Sequence, residues 1–386
     1  MPSSPIPLSL YIHVPWCIRK CPYCDFNSHE KPAELAEEKY IDALLLDLDA
    51  QKELAQGRPL ETLFIGGGTP SLFSPDSFDR LLQGIDARVP ISSEAEITLE
   101  ANPGASDADR FQRYRTIGIN RLSIGVQSFN PVLLKKIGRI HDGREAILAA
   151  EMAKNAGFTE FNLDLIFGLP DQTESLAAED IETAIGLAPT HLSFYQLTLE
   201  PNTFFYKFPP KLPDEDLTWS IQEMGQSRLR DAGYQQYEVS AYARPGSRAR
   251  HNLNYWTFGD YLGIGAGAHG KLTDVISGNI QRTERLKTPL TYMNTALSGT
   301  APGTIRTVPK DEIPFEFLMN GLRLREGFKM EDFRTRTGMK LEVLEPMLSH
   351  LITQKLLEKT DDSIRCSPEG FNFLDTILQN FLPQPC

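Results

Sequence analysis

The chain has 386 residues, 41% of them hydrophobic and 23% charged, a balance that supports a large buried core and excludes a disordered or collagen-like polypeptide. At about 150 residues per domain the length predicts two or three domains. Its 39 basic and 51 acidic side chains leave a net charge of −12, which argues against a protein that coats nucleic acid, since such a protein carries a basic surplus.

No apolar run approaches the roughly 20 residues of a membrane-spanning helix. The opening stretch MPSSPIPLSLYIHV has no basic n-region, so neither an anchor nor a secretory signal is predicted and the expected compartment is the cytoplasm. In a reducing compartment, clustered thiols read as a metal or redox site rather than as disulfides. Three of the five cysteines fall within eight residues.

Residues 8–14 (LSLYIHV) form an apolar run ending at Pro15, read as a buried strand. The cysteine cluster follows as a loop. Residues 33–56 read as a helix, with Ile41, Leu44, Leu45 and Leu48 on one face. Strands are then predicted at 61–65, 95–100, 120–126, 160–167 and 191–197. Helices are predicted at 77–87, 107–117, 133–137, 144–156 and 174–187. Six strand–helix alternations in about 200 residues are the mark of a parallel sheet with crossover helices. They are too few for a closed eight-unit barrel, so the expected fold is α/β, an incomplete, open-sided (β/α)6 barrel. Polar or glycine-rich sequence follows the strand ends (GGGTP, EANPG, GVQSF, FGLP, LEP), and in parallel α/β folds ligands sit at those ends. The expected boundaries are 1–208 for the barrel, 209–308 for an α/β continuation, and 309–386 for a smaller, mainly helical C-terminal domain. That last part carries a strand pair near 356–366 and a winged-helix-like pattern. Phe315, Phe317, Leu318, Leu322 and Leu324 are read as its core.

The sharpest chemical signal is Cys17-Ile18-Arg19-Lys20-Cys21-Pro22-Tyr23-Cys24. A structural zinc site needs a fourth protein ligand, and His13 and His29 lack the usual finger spacing. An iron–sulfur cube held by three cysteines instead leaves one iron without a protein ligand, the arrangement of a substrate-chelating site. Gly66-Gly67-Gly68-Thr69-Pro70 closes the second strand, where a backbone without Cβ approaches a ligand closely; read alone, such a run is often only a turn.

Together these segments resemble the radical S-adenosylmethionine (SAM) superfamily, in which the open iron chelates SAM and an electron from the cluster cleaves it. The resemblance implies a [4Fe–4S] cluster on Cys17, Cys21 and Cys24. YIHVPWCIRKCPYCDF, IGGGTPSL, ITLEANP, RLSIGVQSF and NLDLIFGLP, in that order, resemble its oxygen-independent coproporphyrinogen III oxidase branch over roughly residues 8 to 375. Carried over residue by residue, the resemblance puts Tyr11 beside SAM and Gly67, Gly68 and Thr69 at its amino-acid end. Glu100, Gln127, Arg139 and Asp164 would line the pocket. Carboxylates suit the ribose hydroxyls or the amino group, and a guanidinium suits the SAM carboxylate. Taken singly, each is equally a strand-end polar residue capping the next helix.

Two departures matter. The oxidase carries a fourth cysteine two residues after the third, where this chain has Phe26, and a longer segment before the cluster loop, where this chain has ten residues before Tyr11. Both match a sister family, the HemW heme chaperones, which keep the cluster and SAM site but bind heme and pass it to apo-hemoproteins such as respiratory enzymes at the membrane. His251-Asn252-Leu253-Asn254-Tyr255-Trp256 resembles that family's heme-associated motif. It offers His251 as an axial ligand and an aromatic pair to stack on the macrocycle. The alternative is a hydrogen-bonded core histidine. Arg244, Arg248 and Arg250 are candidate propionate partners or a solvated basic loop.

The glycine-rich tract 259–270 (GDYLGIGAGAHG) lacks the strand–turn–helix context and the acidic residue of a dinucleotide fingerprint, and is read as backbone passing close to the barrel mouth. His141 and His269 receive no role, and Cys366 and Cys386 are read as packing or a free thiol. The expected function is a heme chaperone. The alternative is coproporphyrinogen III oxidation, converting two propionates to vinyls. A radical SAM enzyme acting on tRNA is set aside by the acidic balance. The resemblance also raises a cluster-linked homodimer.

Overall fold

The computed structural model describes residues 6–104 and 108–383; Cys386 lies outside them. The predicted alternation is present. Strands β1 (Leu8–Val14), β2 (Leu60–Gly67), β3 (Ile91–Ala101), β4 (Arg121–Gln127), β5 (Glu160–Phe167) and β6 (His191–Gln196) lie side by side, in chain order and parallel. Crossovers run through α1 (Glu37–Asp49), α2 (Pro75–Asp86), α3 (Ala108–Thr116), the pair α4 (Pro131–Lys136) and α5 (Gly143–Asn155), and α6 (Glu174–Gly186). Helices on one face and barrel contents on the other bury these strands on both sides, as parallel sheets require. Thus β1 is buried at every position but Tyr11.

The predicted helix 33–56 is shorter than its periodicity. It stops at Asp49, where the buried amide of Gln51 donates to Asp47 Oδ1 at 3.0 Å and to the Gly263 carbonyl at 3.1 Å. A separate 3-10 turn covers Lys52–Ala55.

Beyond β6 come α7 (Phe204–Lys207), α8 (Glu215–Asp231) and two short antiparallel strands, β7 (Gln235–Gln236) and β8 (Ala241–Ala243), at that edge of the sheet. The chain then crosses the barrel through α9 (Arg250–Trp256) to the opposite edge. There β9 (Asp260–Ile264) pairs parallel to β1, and β10 (His269–Thr273), β11 (Ile280–Arg285) and β12 (Gly303–Thr307) continue as an antiparallel meander. The glycine tract therefore builds a seventh parallel strand, which the sequence reading did not expect. Its glycines do permit close approach. A Cβ on Gly265 would lie 2.3 Å from the His13 carbonyl oxygen. One on Gly267, at φ +82°, would lie 2.4 Å from the Asn27 amide.

The barrel has one continuous apolar core. A second core gathers around Phe317, whose ring meets Phe328 and Phe333 edge-on at 5.1 and 5.0 Å. Leu318 and Leu322 join it, with Phe315 half-buried against it. Leu324 packs in a separate cluster with Tyr237 and Ala243. The strands Leu357–Lys359 and Ser363–Cys366 pair antiparallel, and Phe328–Lys329 adds a third. Cys366 is buried there.

Candidate functional site

A cavity of about 460 Å³ opens at the carboxyl ends of the parallel strands. Cys17, Cys21, Cys24, Gly67, Gly68, Thr69, Glu100, Gln127, Arg139 and Asp164 all line it. Residues more than 140 positions apart are brought onto one wall because strands expose alternate side chains to one face. The same period supplies lining that motif reading missed: Ser123 before Gln127, Asn162 before Asp164, and His191, Ser193 and Tyr195 along β6. Period-two reading from each named residue was the signal available for them.

The cysteine loop is held from three sides. Trp16 packs edge-on against Tyr40 at 4.7 Å and stacks on Phe73 at 5.9 Å. The Trp16 carbonyl accepts from the Thr69 N–H at 2.8 Å, and the Val14 carbonyl accepts from the Gly68 N–H at 2.7 Å. Lys20 Nζ donates back to the Phe26 and Ser28 carbonyls at 3.1 and 3.2 Å. Asn27 Nδ2 donates at 2.8 Å to both the Ala266 and the Lys287 carbonyls, pinning the loop to the glycine tract. Burial pushes the Cys17 and Cys24 thiols above their ordinary pKa; hydrogen bonds from Thr69 and Ser28, respectively, oppose it. Among the described residues, no three His, Cys, Asp or Glu side chains stand close enough to hold a single metal ion.

Arg139 crosses the floor of the cavity. Its NH2 group donates to Asn102 Oδ1 at 2.8 Å and to the Gly125 carbonyl at 2.6 Å, and its NH1 faces the Cys21 sulfur at 3.9 Å. Asn102 in turn donates to Thr69 Oγ1 at 2.8 Å. Glu100 Oε2 accepts from the Gly67 N–H at 2.9 Å. Burial, with Asp164 nearby, nevertheless raises the Glu100 carboxyl to about 7, the Gly67 bond opposing. Asp164 is also raised by burial, against the hydrogen bonds it accepts from Asn162 Nδ2 at 2.8 Å and Ser123 Oγ at 3.1 Å. Gln127 ends β4 at φ +69°, past a break in register, and its Oε1 accepts from the Tyr195 hydroxyl at 3.2 Å. A left-handed non-glycine residue at a bulge re-aims a side chain at a functional face. Among the described residues, two buried polar atoms of this lining have no partner, Arg139 Nε and Thr98 Oγ1. Such atoms are costly unless something polar meets them.

Tyr11 is placed differently. It lines a second, larger cavity of about 720 Å³ that adjoins the first and shares Cys24, Asp25, Phe26, Gly67 and Glu100 with it. Its hydroxyl bonds to His13 Nδ1 at 2.9 Å. Phe26, where the oxidase has a cysteine, stands on the shared rim and is 57% exposed.

His251 faces neither cavity. It is buried, its Nδ1 lies 2.8 Å from Thr62 Oγ1, and its Nε2 lies 2.7 Å from the Tyr255 hydroxyl. Burial drives its pKa down to about 3. With both ring nitrogens bonded to hydroxyls inside the core, His251 is not presented to either cavity in this arrangement. The upstream arginines are also committed. Arg244 covers the Tyr234 ring at 4.4 Å, Arg248 pairs with Glu326 at 2.7 Å, and Arg250 donates to the Glu94 carbonyl at 2.6 Å.

Comparisons with known proteins bear on the family and the fold. A family model described as the radical SAM superfamily matches residues 11–184, and one described as the HemN C-terminal domain matches residues 308–373. The chain is 50% identical to the heme chaperone HemW of Escherichia coli, over 98% of this chain and 99% of that protein. It is 48% identical to HemW of Haemophilus influenzae over the full length of both. Among solved structures, E. coli coproporphyrinogen III oxidase (HemN) superposes with a TM-score of 0.83 at 24% identity, covering 97% of this chain and 90% of that one; this likeness shows the fold.

Proposed function

Because the chain belongs to the HemW family of the radical SAM superfamily, we propose that it is a heme chaperone that carries a [4Fe–4S] cluster, binds SAM against it, and passes heme to apo-hemoproteins such as respiratory enzymes. The observation that carries the reading is the convergence of three thiols, Arg139, Glu100 and Asp164 on one cavity. The donor set fits. Three soft sulfurs on one loop suit an iron–sulfur centre. The unpartnered Arg139 Nε and Thr98 Oγ1 call for a polar ligand in the same space.

Cys17, Cys21 and Cys24 would hold the cluster. A bound cluster with one iron free of thiolate supplies a chelating position and an electron. The Arg139 guanidinium, fixed by Asn102 and Gly125, presents a cation to a carboxylate. Gly67, Gly68 and Thr69 bring backbone close to the amino-acid end. Glu100 holds a proton at Oε1 or Oε2 when no cation is near and gives it up when an ammonium arrives beside it. Asp164, already taking two hydrogen bonds, is set to accept from ribose hydroxyls. Phe26 and the aromatic wall of the second cavity present apolar surface at the shared rim.

The test is a single preparation made without oxygen. It is expected to be brown, with about four irons per chain, to bind SAM, to show a saturable Soret band with hemin, and to load heme into an apo-hemoprotein. A colourless, single-zinc protein, or conversion of coproporphyrinogen III to protoporphyrinogen with SAM and reductant, overturns it.

A further inference from the structure

The second cavity has no assigned occupant. Its volume of about 720 Å³ is in the range of pockets that enclose a small-molecule cofactor. One wall is aromatic: Tyr255, Trp256 and Tyr261, with Tyr255 and Tyr261 edge-on at 4.5 Å. The motif 251–256 therefore reaches this cavity through its aromatic pair, while its histidine stays behind in the core and holds the Tyr255 hydroxyl.

Seven histidines are present. Four are buried (His13, His141, His191 and His251), and each of these has a ring nitrogen hydrogen-bonded. His29 bonds to Asn27 Oδ1, and His350 lies on a helix after Pro346, away from both cavities. His269 differs. It lines the second cavity, and among the described residues its imidazole makes no hydrogen bond. Its backbone is clamped, because a Cβ on Gly263 would lie 2.0 Å from the His269 carbonyl oxygen; a ligand mounted on such a strand is held in place better than one on a loop. Four cationic side chains line this cavity, and two of them, Lys271 and Arg282, are already paired with Asp260 and Glu316. Lys20 spends two of its three donors on carbonyls, and Lys287 has only an exposed partner, Glu284 at 3.5 Å, a pairing worth little in water.

Resting on the proposed heme chaperone function, we infer that this second cavity is the heme site, that His269 is the axial ligand to the iron, and that Lys20 and Lys287 receive the propionates. His251 is then a positioning residue, acting through Tyr255. Heme seated there shares a wall with the SAM cavity at Cys24, Phe26, Gly67 and Glu100.

The experiment titrates hemin into the full chain, cluster intact, as wild type, His269→Ala, His269→Met and His251→Ala, followed by Soret absorbance and low-spin EPR. Cluster absorbance and SAM binding report folding. His269→Ala is expected to weaken hemin at least about tenfold, an axial bond being worth more than the roughly 1.4 kcal/mol of one decade, and to lose the histidine-ligated spectrum. Added imidazole restores it, and His269→Met gives a different low-spin signature. His251→Ala is expected to lower affinity while keeping the wild-type spectrum. If His269→Ala keeps both affinity and spectrum, or if His251→Ala alone removes the ligand signature, the assignment is overturned. A wild-type chain that never saturates with hemin sinks the chaperone reading itself, a separate result from the first.

Discussion

His251 Nε2 and the Tyr255 hydroxyl lie 2.7 Å apart, one helical turn apart on α9, inside a core where the other ring nitrogen meets Thr62. The interaction ties β2 to the wall of the second cavity. Replacing His251 with alanine leaves the buried Tyr255 hydroxyl without its partner, while Thr62 keeps its bond to Ser9 at 2.7 Å, and opens a void, a loss of about 2–4 kcal/mol. Urea unfolding of the two proteins measures it, and a cost under about 1 kcal/mol contradicts the role assigned here.

The buried imidazoles set an acid limit. His13 and His141 are held down to about 4 and His251 to about 3, chiefly by burial. Below about 6.5 the unfolded chain takes up protons that the native imidazoles refuse, so stability falls as pH drops from about 6.5 toward 4. Denaturant midpoints across that range are expected to decline, and less steeply in His141→Gln, whose amide does not titrate.

Glu100 gives the opposite sign. Its carboxyl keeps a proton up to about 7 in the folded chain but loses it near 4.5 when unfolded, so its contribution to stability falls as pH rises through that window. A bound ammonium favours the carboxylate. SAM binding is therefore expected to release a proton near neutral pH, and to tighten as pH rises toward about 7 and level off above it. Calorimetry in two buffers of different ionisation enthalpy reads the proton, and Glu100→Gln should abolish the difference.

Arg139 separates cofactor from cluster. Its guanidinium is anchored through NH2 by Asn102 and Gly125, and its Nε is unpartnered. Arg139→Met is expected to lower SAM affinity by about tenfold or more, the scale of a charge-assisted hydrogen bond, while iron content stays at the wild-type level. Loss of iron in parallel would place the residue in the cluster's support instead.

The cluster loop depends on a contact that no motif displays. Gly267→Ala puts a Cβ against Asn27 at a left-handed position, and the Asn27 amide is what ties the loop to the Ala266 and Lys287 carbonyls. The substitution is expected to cost about 1–3 kcal/mol and to speed iron loss on exposure to air. Iron assays over time test it against Gly278→Ala, a left-handed glycine whose Cβ meets nothing.

The parallel strands and their order were legible in the sequence because each is a short apolar run bounded by a turn signal, and neighbours in the chain are neighbours in the sheet. The three cysteines and the glycines at 66–68 were legible because a local spacing encodes a local loop. Asp47 was not. Periodicity puts Ile41, Leu44, Leu45 and Leu48 on the inner face of α1, yet the Asp47 carboxylate is buried among them, paired with Arg285 at 3.1 Å and accepting from the Tyr292 hydroxyl at 2.8 Å. Both partners lie more than 230 positions away, and no pattern within α1 announces them.

The same division holds for the site. Sequence by itself determined which residues form the sulfur loop, and through alternation along each strand, which side chains share the barrel's inner face. Tertiary structure alone decided that the glycine tract becomes a strand beside β1, that His251 turns into the core, and that His269 faces the second cavity. Those outcomes follow from strand pairing and burial between distant segments, and whether an imidazole is spent on a hydroxyl or left free depends on what packs against it.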